Sequence, residues 1–354
     1  MADLLIKPEA GSGNKLILQD QAGGAVLTTN DTGIILHTES SAPATPAEGQ
    51  FYYNSTTKQT YVYNGTEWKE LHTGAFAKAT GGQITIVKLD NLTYAVHTFT
   101  TSGTFTPNAS FTIDYLLVAG GGGGGCYDGT YVHGANGNNS SIGGFTAAVA
   151  GGGGAAWDGT SAGVAATGGS GGGGSGGNAS SYRVGAAGTS GQGHSGGNGI
   201  FPGGSDIRGG GGGGAGEAGH NAVSMINGDG GAGKGNNFRT GSNIMYAGGG
   251  AGGSWVQSAT KFATGGIGGG GNGGLGGGTS TTGAQNTGGG GGGGDSGPGA
   301  GHGGGGAGGM IEVKGQAVTA QAYTVTIGAG AASVGTAGNG AGGGSGIAVI
   351  RYTI

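Results

Sequence analysis

Apolar and polar positions make a readable pattern at the two ends of the chain and almost none between them. Short apolar runs at residues 4–7, 15–19, 25–28 and 34–37 are separated by turn formers such as Gly11-Ser-Gly-Asn14 and Asn30-Asp-Thr-Gly33. This predicts a set of short strands over residues 1–38. Residues 39–49 are rich in Ser, Ala and Pro and read as a linker. Residues 50–72 hold Phe51, Tyr53, Tyr61, Tyr63 and Trp68 around an Asn/Ser/Thr turn and an Asn64-Gly65 turn. That pattern predicts a small β-meander with an aromatic face. Residues 73–83 read as a second linker.

From residue 84 to 118 strands return. Residues 83–89 alternate, with Ile84, Ile86 and Val87 expected inward, and residues 94–101 and 110–119 follow. Three more strand patterns lie at 310–314, 323–327 and 346–354. Tyr115 to Val118 and Ile347 to Ile350 are near-continuous apolar runs, as expected of central strands covered on both faces. A β base is therefore predicted from residues 84–118 together with 310–354.

Between these halves, residues 119–309 are mostly glycine, in runs such as 120–125, 209–214, 288–294 and 303–306. Glycine costs roughly 0.5–1 kcal/mol more than alanine to order. A run of it has only peptide groups to offset that cost. One ordered solution is the left-handed threefold extended helix, which has no internal hydrogen bonds and turns its N–H and C=O groups sideways. Packed flank to flank, such helices satisfy one another. Collagen does not fit, because only 6 prolines are present and the period is irregular. A flexible Gly/Ser linker is the plain alternative. It accounts poorly for a β unit that opens before the region and closes after it. The expected fold is thus mainly β plus polyglycine II, with essentially no α-helix, and a polyglycine II helix sandwich inserted in a small β-sheet base.

Charged residues make up 8% and the formal net charge is −4, without a Lys/Arg cluster. Nucleic acid and anionic membrane are unpromising partners on that basis. Cys126 is the one cysteine, so an intrachain disulfide is impossible. The start, Met1 to Pro8, lacks the basic and long apolar regions of a secretory signal, and no apolar run approaches a membrane span. The expectation is synthesis in a cytosol, with any role outside a cell needing another route out, for example assembly into a virus and lysis.

The segment Phe105-Thr-Pro107 followed by Asp114-Tyr-Leu-Leu-Val-Ala119 and six glycines, with the ending Gly343-Gly-Ser-Gly-Ile-Ala-Val-Ile-Arg-Tyr352, resembles the glycine-rich domain of bacteriophage tail fibre and adhesin proteins, marine phages especially. The resemblance covers residues 94–354. A Tyr-Asn…Tyr-x-Gly-x-x-Trp-like pattern in the 50–72 meander resembles modules of phage tail fibres. The distal adhesins of T-even-like phages are similar, with loops displayed at the tip of a polyglycine II sandwich. The resemblance implies a non-enzymatic virion protein that binds a bacterial surface receptor, an outer-membrane protein or a polysaccharide. It also implies attachment to other tail or fibre proteins through residues 1–72. The core-poor N-terminal strands favour a homo-oligomer, a trimer being one form.

Recognition would fall to the interruptions between glycine runs, since aromatics in Ser/Gly/Asn-rich loops give contact area at low entropic cost. The candidate receptor-binding residues are Tyr131, Trp157, Phe238, Trp255, Tyr182 and Tyr246. No cofactor or metal is expected. Gly228-Asp-Gly-Gly-Ala-Gly-Lys-Gly235 imitates a phosphate loop but lacks the final Ser/Thr. Gly294-Asp-Ser-Gly-Pro298 echoes a serine-protease nucleophile loop without its partners. Glu217 with His220, and the scattered His133, His194 and His302, lack metal spacing. The main alternative to an adhesin is a structural virion fibre or capsid decoration whose glycine domain only spaces or coats. Ice binding would need rows of Thr or Ala at a steady period, which are missing.

Overall fold

The computed structural model describes residues 17–19, 25–30, 33–36, 38–71, 78–157, 164–177, 184–203, 206–254, 263–276, 278–295, 300–335 and 339–354. Among the described residues all regular structure is β and no α-helix occurs. The strand expected at residues 4–7 lies outside them. The chain divides into two units, Met1–Ala77 and Lys78–Ile354.

In the first unit, β1 (Ile17–Gln19), β2 (Ala25–Asn30) and β3 (Gly33–Leu36) form an antiparallel three-stranded sheet. A second sheet joins β4 (Thr38–Glu39), β5 (Phe51–Asn54), β6 (Gln59–Tyr63) and β7 (Trp68–Leu71), with β4 parallel to β5 and the others antiparallel. Both of its turns are set by asparagine. Asn54 Oδ1 accepts the N–H groups of Thr56 and Thr57, and Asn64 Oδ1 those of Thr66 and Glu67. The aromatic face centres on Tyr52, which is buried, stacked on Tyr61 at 5.2 Å and edge-on to Trp68 at 4.7 Å. Phe51 points the other way in the strand and is exposed.

The second unit begins with β8 (Ala79–Thr80), β9 (Gln83–Leu89), β10 (Leu92–Phe99), β11 (Gly103–Pro107) and β12 (Phe111–Val118). Short pieces follow inside the glycine region: β13 (Cys126–Tyr127) with β14 (Tyr131–Val132), then β15 (Ser141–Ile142), and β16 (Ile200–Gly203) with β17 (Asp206–Arg208). Next come β18 (Lys234–Asn236) with β19 (Ile244–Tyr246), and β20 (Gly253–Ser254) with β21 (Gly301–His302). The unit closes with β22 (Met310–Val318), β23 (Tyr323–Thr326) and β24 (Ile347–Thr353).

Strand β8 corrects the expected second linker. Ala79 is buried and its N–H donates to the Tyr352 hydroxyl at 3.1 Å, so Ala79–Thr80 is an anchored strand. The two main sheets have the orders β22-β12-β24-β10-β9 and β15-β23-β11-β8. Between them packs a core that includes Phe99, Phe105, Ile113, Tyr115, Leu117, Val325, Ile350 and Tyr352. The opposite face of the five-stranded sheet holds Val96, Leu116, Val118, Ile347 and Val349 against Phe238, Tyr246 and the lattice alanines Ala247 and Ala307. The runs at 115–118 and 347–350 are thus buried on both faces, as their apolar continuity predicts. The expectation for Ile84 and Ile86 is corrected. Strand β9 is the sheet edge, and these side chains are 41% and 51% exposed while Val87 packs inward.

The glycine region is tied together by hydrogen bonds that recur every third residue. The N–H groups of Gly120 and Gly123 donate to Asn138 and Ala135, those of Gly121 and Gly124 to Gly344 and Ala341, and those of Gly122 and Gly125 to Gly306 and Gly303. Residues 303–308 behave alike. Gly303 and Gly306 donate to Ala155 and Gly152, Gly304 and Ala307 to Gly210 and Gly213, and Gly305 and Gly308 to Gly291 and Gly288. The carbonyls of 303, 304, 305, 306 and 307 accept from Gly125, Gly173, Gly250, Gly122 and Ser170 in that order. Residues 303–308 are thereby enclosed by segments near 122–125, 152–155, 170–173, 210–213, 250 and 288–291. Neighbours in that ring also bond to each other, for example Gly154 to Gly123, Gly213 to Gly171 and Gly212 to Gly250. The buried peptide groups are satisfied sideways, by bonds between segments rather than by an α-helix or a sheet ladder.

Close packing explains why side chains are absent. A Cβ on Gly305 would lie 2.2 Å from the Gly122 carbonyl oxygen, and one on Gly212 2.0 Å from that of Gly305. Both distances are far inside van der Waals contact.

Candidate functional site

The lattice has two unlike ends. At one end it runs directly into the five-stranded sheet: Ala119 donates to Gly309, and Gly309 to Val149, one residue beyond β12 and before β22. At the other, Gly125 meets Gly303 and Gly294, Gly176 meets Gly301, and Gly209 meets Gly253. Here the chain leaves the lattice after residues 125, 156, 177, 199, 222 and 253 and re-enters further on. Among the described residues, this end carries interruptions at 126–133, 200–208 and 223–226.

Three aromatics gather at this far end. The hairpin β13–β14 turns at Gly129, whose φ is +73°, and places Tyr127 across from Tyr131. Their ring centroids are 4.7 Å apart, and Tyr131 meets Trp157 edge-on at 5.3 Å. All three are half-buried. Gly177 lets the indole settle, since a Cβ there would lie 2.0 Å from Trp157 Cδ1. Beneath them lies His302, 6.3 Å from the Tyr131 ring and fully buried. Burial, then the Tyr127 hydroxyl, pushes the Tyr131 phenol above its ordinary pKa.

A buried polar layer closes the lattice next to this cluster. Arg208 is fully buried; Nε donates to Asp206 Oδ1 at 2.5 Å and Nη1 to Ser254 Oγ at 3.3 Å. Asp206 in turn accepts from Ser224 Oγ at 2.9 Å and from the Met225 N–H at 3.0 Å. Burial alone would raise the Asp206 pKa, but these hydrogen bonds and the Arg208 charge hold the carboxyl below its usual value. Met225 has φ +67°, costly for such a residue, and its bond to Asp206 keeps it there. The turn it belongs to exposes Val223, Met225 and Ile226. Val164 and Val184 are 72% and 68% exposed. Exposed apolar side chains and half-buried aromatics are the kind of surface that suits a partner's contact.

Of the six residues singled out from sequence, the structure brings Tyr131 and Trp157 together. Phe238 and Tyr246 are corrected: both are 1% exposed and lie at the sheet end of the lattice, packed on the base. Strands β18 and β19 fold back on the sheet, so these rings serve its core and offer no contact area outward. Tyr182 and Trp255 lie outside the described residues. Tyr127, Asp206 and Arg208 were not among the six. The turn pair Asp128-Gly129 was a signal for the first, because it sets a hairpin that pairs Tyr127 with Tyr131. The phosphate-loop imitation dissolves into the lattice, where the N–H groups of Gly228, Gly230, Gly231 and Gly233 donate to neighbouring carbonyls. Among the described residues no cluster of three metal-binding side chains occurs. No family model, curated protein or solved structure matches this chain.

Proposed function

We propose that the chain is a bacteriophage tail fibre adhesin. Its glycine segments are polyglycine II helices bundled into a stiff platform, and the loops at the far end bind a receptor on the bacterial surface. Residues 1–72 attach it to other tail proteins, and the working form on the virion is a homo-oligomer. The observation that carries this reading is the polarity of the lattice. A double sheet clamps one end, while the other gathers Tyr127, Tyr131 and Trp157 with exposed valines. Hydrogen bonds that repeat every third residue are what a threefold glycine helix requires. A side-chain-free bundle has little chemistry of its own, so binding falls to what it displays.

The test is adsorption competition. Purified full-length chain is mixed with host cells before phage carrying the same chain is added. It is expected to block adsorption, and the Tyr131→Ala/Trp157→Ala double variant is expected to need at least about tenfold more protein, a loss of roughly 1.4 kcal/mol or more. Adsorption undisturbed by the intact chain would overturn the reading and leave a spacer or coat.

A further inference from the structure

A second recognition feature lies at the opposite end of the lattice, on the flank of the base. The hairpin β18–β19 and strand β22 border an open hollow of about 340 Å³, lined by Gly235, Asn236, Asn237, Gly241, Asn243 and Glu312. That volume falls at the small end of ligand sites, which run from about 300 to 1,000 Å³. Three of the lining side chains are amides and one is a carboxylate.

The wall is organised. Asn236 is buried, and its Oδ1 accepts the Phe238 N–H at 2.8 Å, which leaves Nδ2 to donate to Glu312 Oε2 at 3.2 Å. One Glu312 oxygen is thereby fixed by an amide. The other lies 3.7 Å from Lys314 Nζ. Gly235 makes room for Asn243: a Cβ there would sit 2.2 Å from Asn243 Oδ1. The Asn237 amide makes no hydrogen bond among the described residues, and the Asn243 amide has only a 4.0 Å contact to Met245 Sδ. The hollow is thus lined by two lightly engaged amides, each donor and acceptor, and by one carboxylate held by Asn236.

This set suits a ligand with many hydroxyls, each able to donate to Glu312 or an amide oxygen and accept from an amide N–H. A divalent cation fits less well. It takes six or more oxygens, yet Asn236 Oδ1 is committed to a backbone N–H and the Lys314 ammonium stands beside the only carboxylate. An anion would meet the Glu312 charge. We propose that this hollow is a binding subsite for a neutral saccharide, separate from the far-end aromatic cluster. On a protein that meets a cell coat, it would hold glycan while the far end engages its own receptor.

Full-length chain is titrated with methyl glucoside, methyl mannoside, methyl galactoside and N-acetylglucosamine to about 50 mM, a range that registers Kd values near 1 mM. Binding is read by saturation-transfer difference NMR and calorimetry. At least one glycoside is expected to bind. The Asn237→Ala/Asn243→Ala variant should lose at least tenfold in affinity with its Tm unchanged, and Tyr131→Ala/Trp157→Ala should bind as before. No binding by any of the four sugars overturns the proposal. So does binding that survives in the asparagine variant, or that disappears only with the aromatic one. A calcium titration that shows binding while the sugars show none assigns the hollow to a cation instead.

Discussion

The Arg351 guanidinium lies 4.0 Å from the centre of the Phe238 ring and 4.4 Å from that of Tyr94. Its Nε donates to Asp114 Oδ2 at 3.1 Å, so strands β12 and β24 are tied to a hairpin from the glycine region through one cation. Phe238→Ala is expected to cost about 3–5 kcal/mol from lost burial, with cation–π contact part of it. Thermal unfolding of the variant should show a clearly lowered Tm, whereas a Tm within a degree or two of wild type would remove Phe238 from the base.

Lattice packing predicts a sharp contrast between two glycines. Gly305→Ala forces a methyl group against the Gly122 carbonyl, whereas Gly103→Ala meets only the Phe99 ring at 3.5 Å. Overpacking usually costs about 1–3 kcal/mol, and here backbone hydrogen bonds must yield as well. Denaturant midpoints should therefore show Gly305→Ala destabilised by about 3 kcal/mol or more and Gly103→Ala by less than about 1 kcal/mol.

The two cases also show what the sequence made legible. Apolar continuity at 115–118 and 347–350 identified the central strands, because burial on both faces removes the period of two. The lattice was foreseeable from the cost of ordering glycine, but its neighbours were not: a segment without side chains carries no pattern that says which other segment it touches. Phe238 and Tyr246 were misplaced for a related reason. An aromatic residue in a glycine-rich interruption looks the same whether its hairpin extends from the bundle or folds back on the base. Ile84 and Ile86 alternate correctly for a strand, yet nothing in that alternation announces the edge of a sheet.

Stability should fall on the acid side through His97. Nδ1 lies 2.7 Å from the Gly81 carbonyl, an acceptor only, so it carries the proton; Nε2 then accepts from the Tyr352 hydroxyl at 3.0 Å. Burial lowers the His97 pKa, against a smaller raising effect of the Gly81 bond. The unfolded chain therefore binds this proton more readily, and the stability contributed is full above pH about 6.5 and lost as pH falls toward the folded value. Tm measured from pH 8 to 5 should drop below pH about 6.5, and His97→Gln should flatten that drop.

Cys126 should be inert while the fold holds. It is fully buried, its Sγ lies 3.5 Å from the Val334 carbonyl, and burial followed by the Asp128 charge pushes its pKa up to about 11. Since the thiolate is the reactive form, alkylation by iodoacetamide at pH 8 should be negligible in native protein and prompt in denaturant. Rapid labelling of native protein would show that the loops around it open.

Backbone hydrogen exchange of residues 303–308 bears most directly on the lattice itself. Their N–H groups donate to carbonyls on three sides and are reached by no solvent-exposed surface. Protection approaching that of the central strands β12 and β24, with exchange limited by global opening, is the result expected of a locked bundle. Exchange at the rate of a free glycine peptide would mean that the segments are not bonded to one another, and the platform with both of its ends would fall with them.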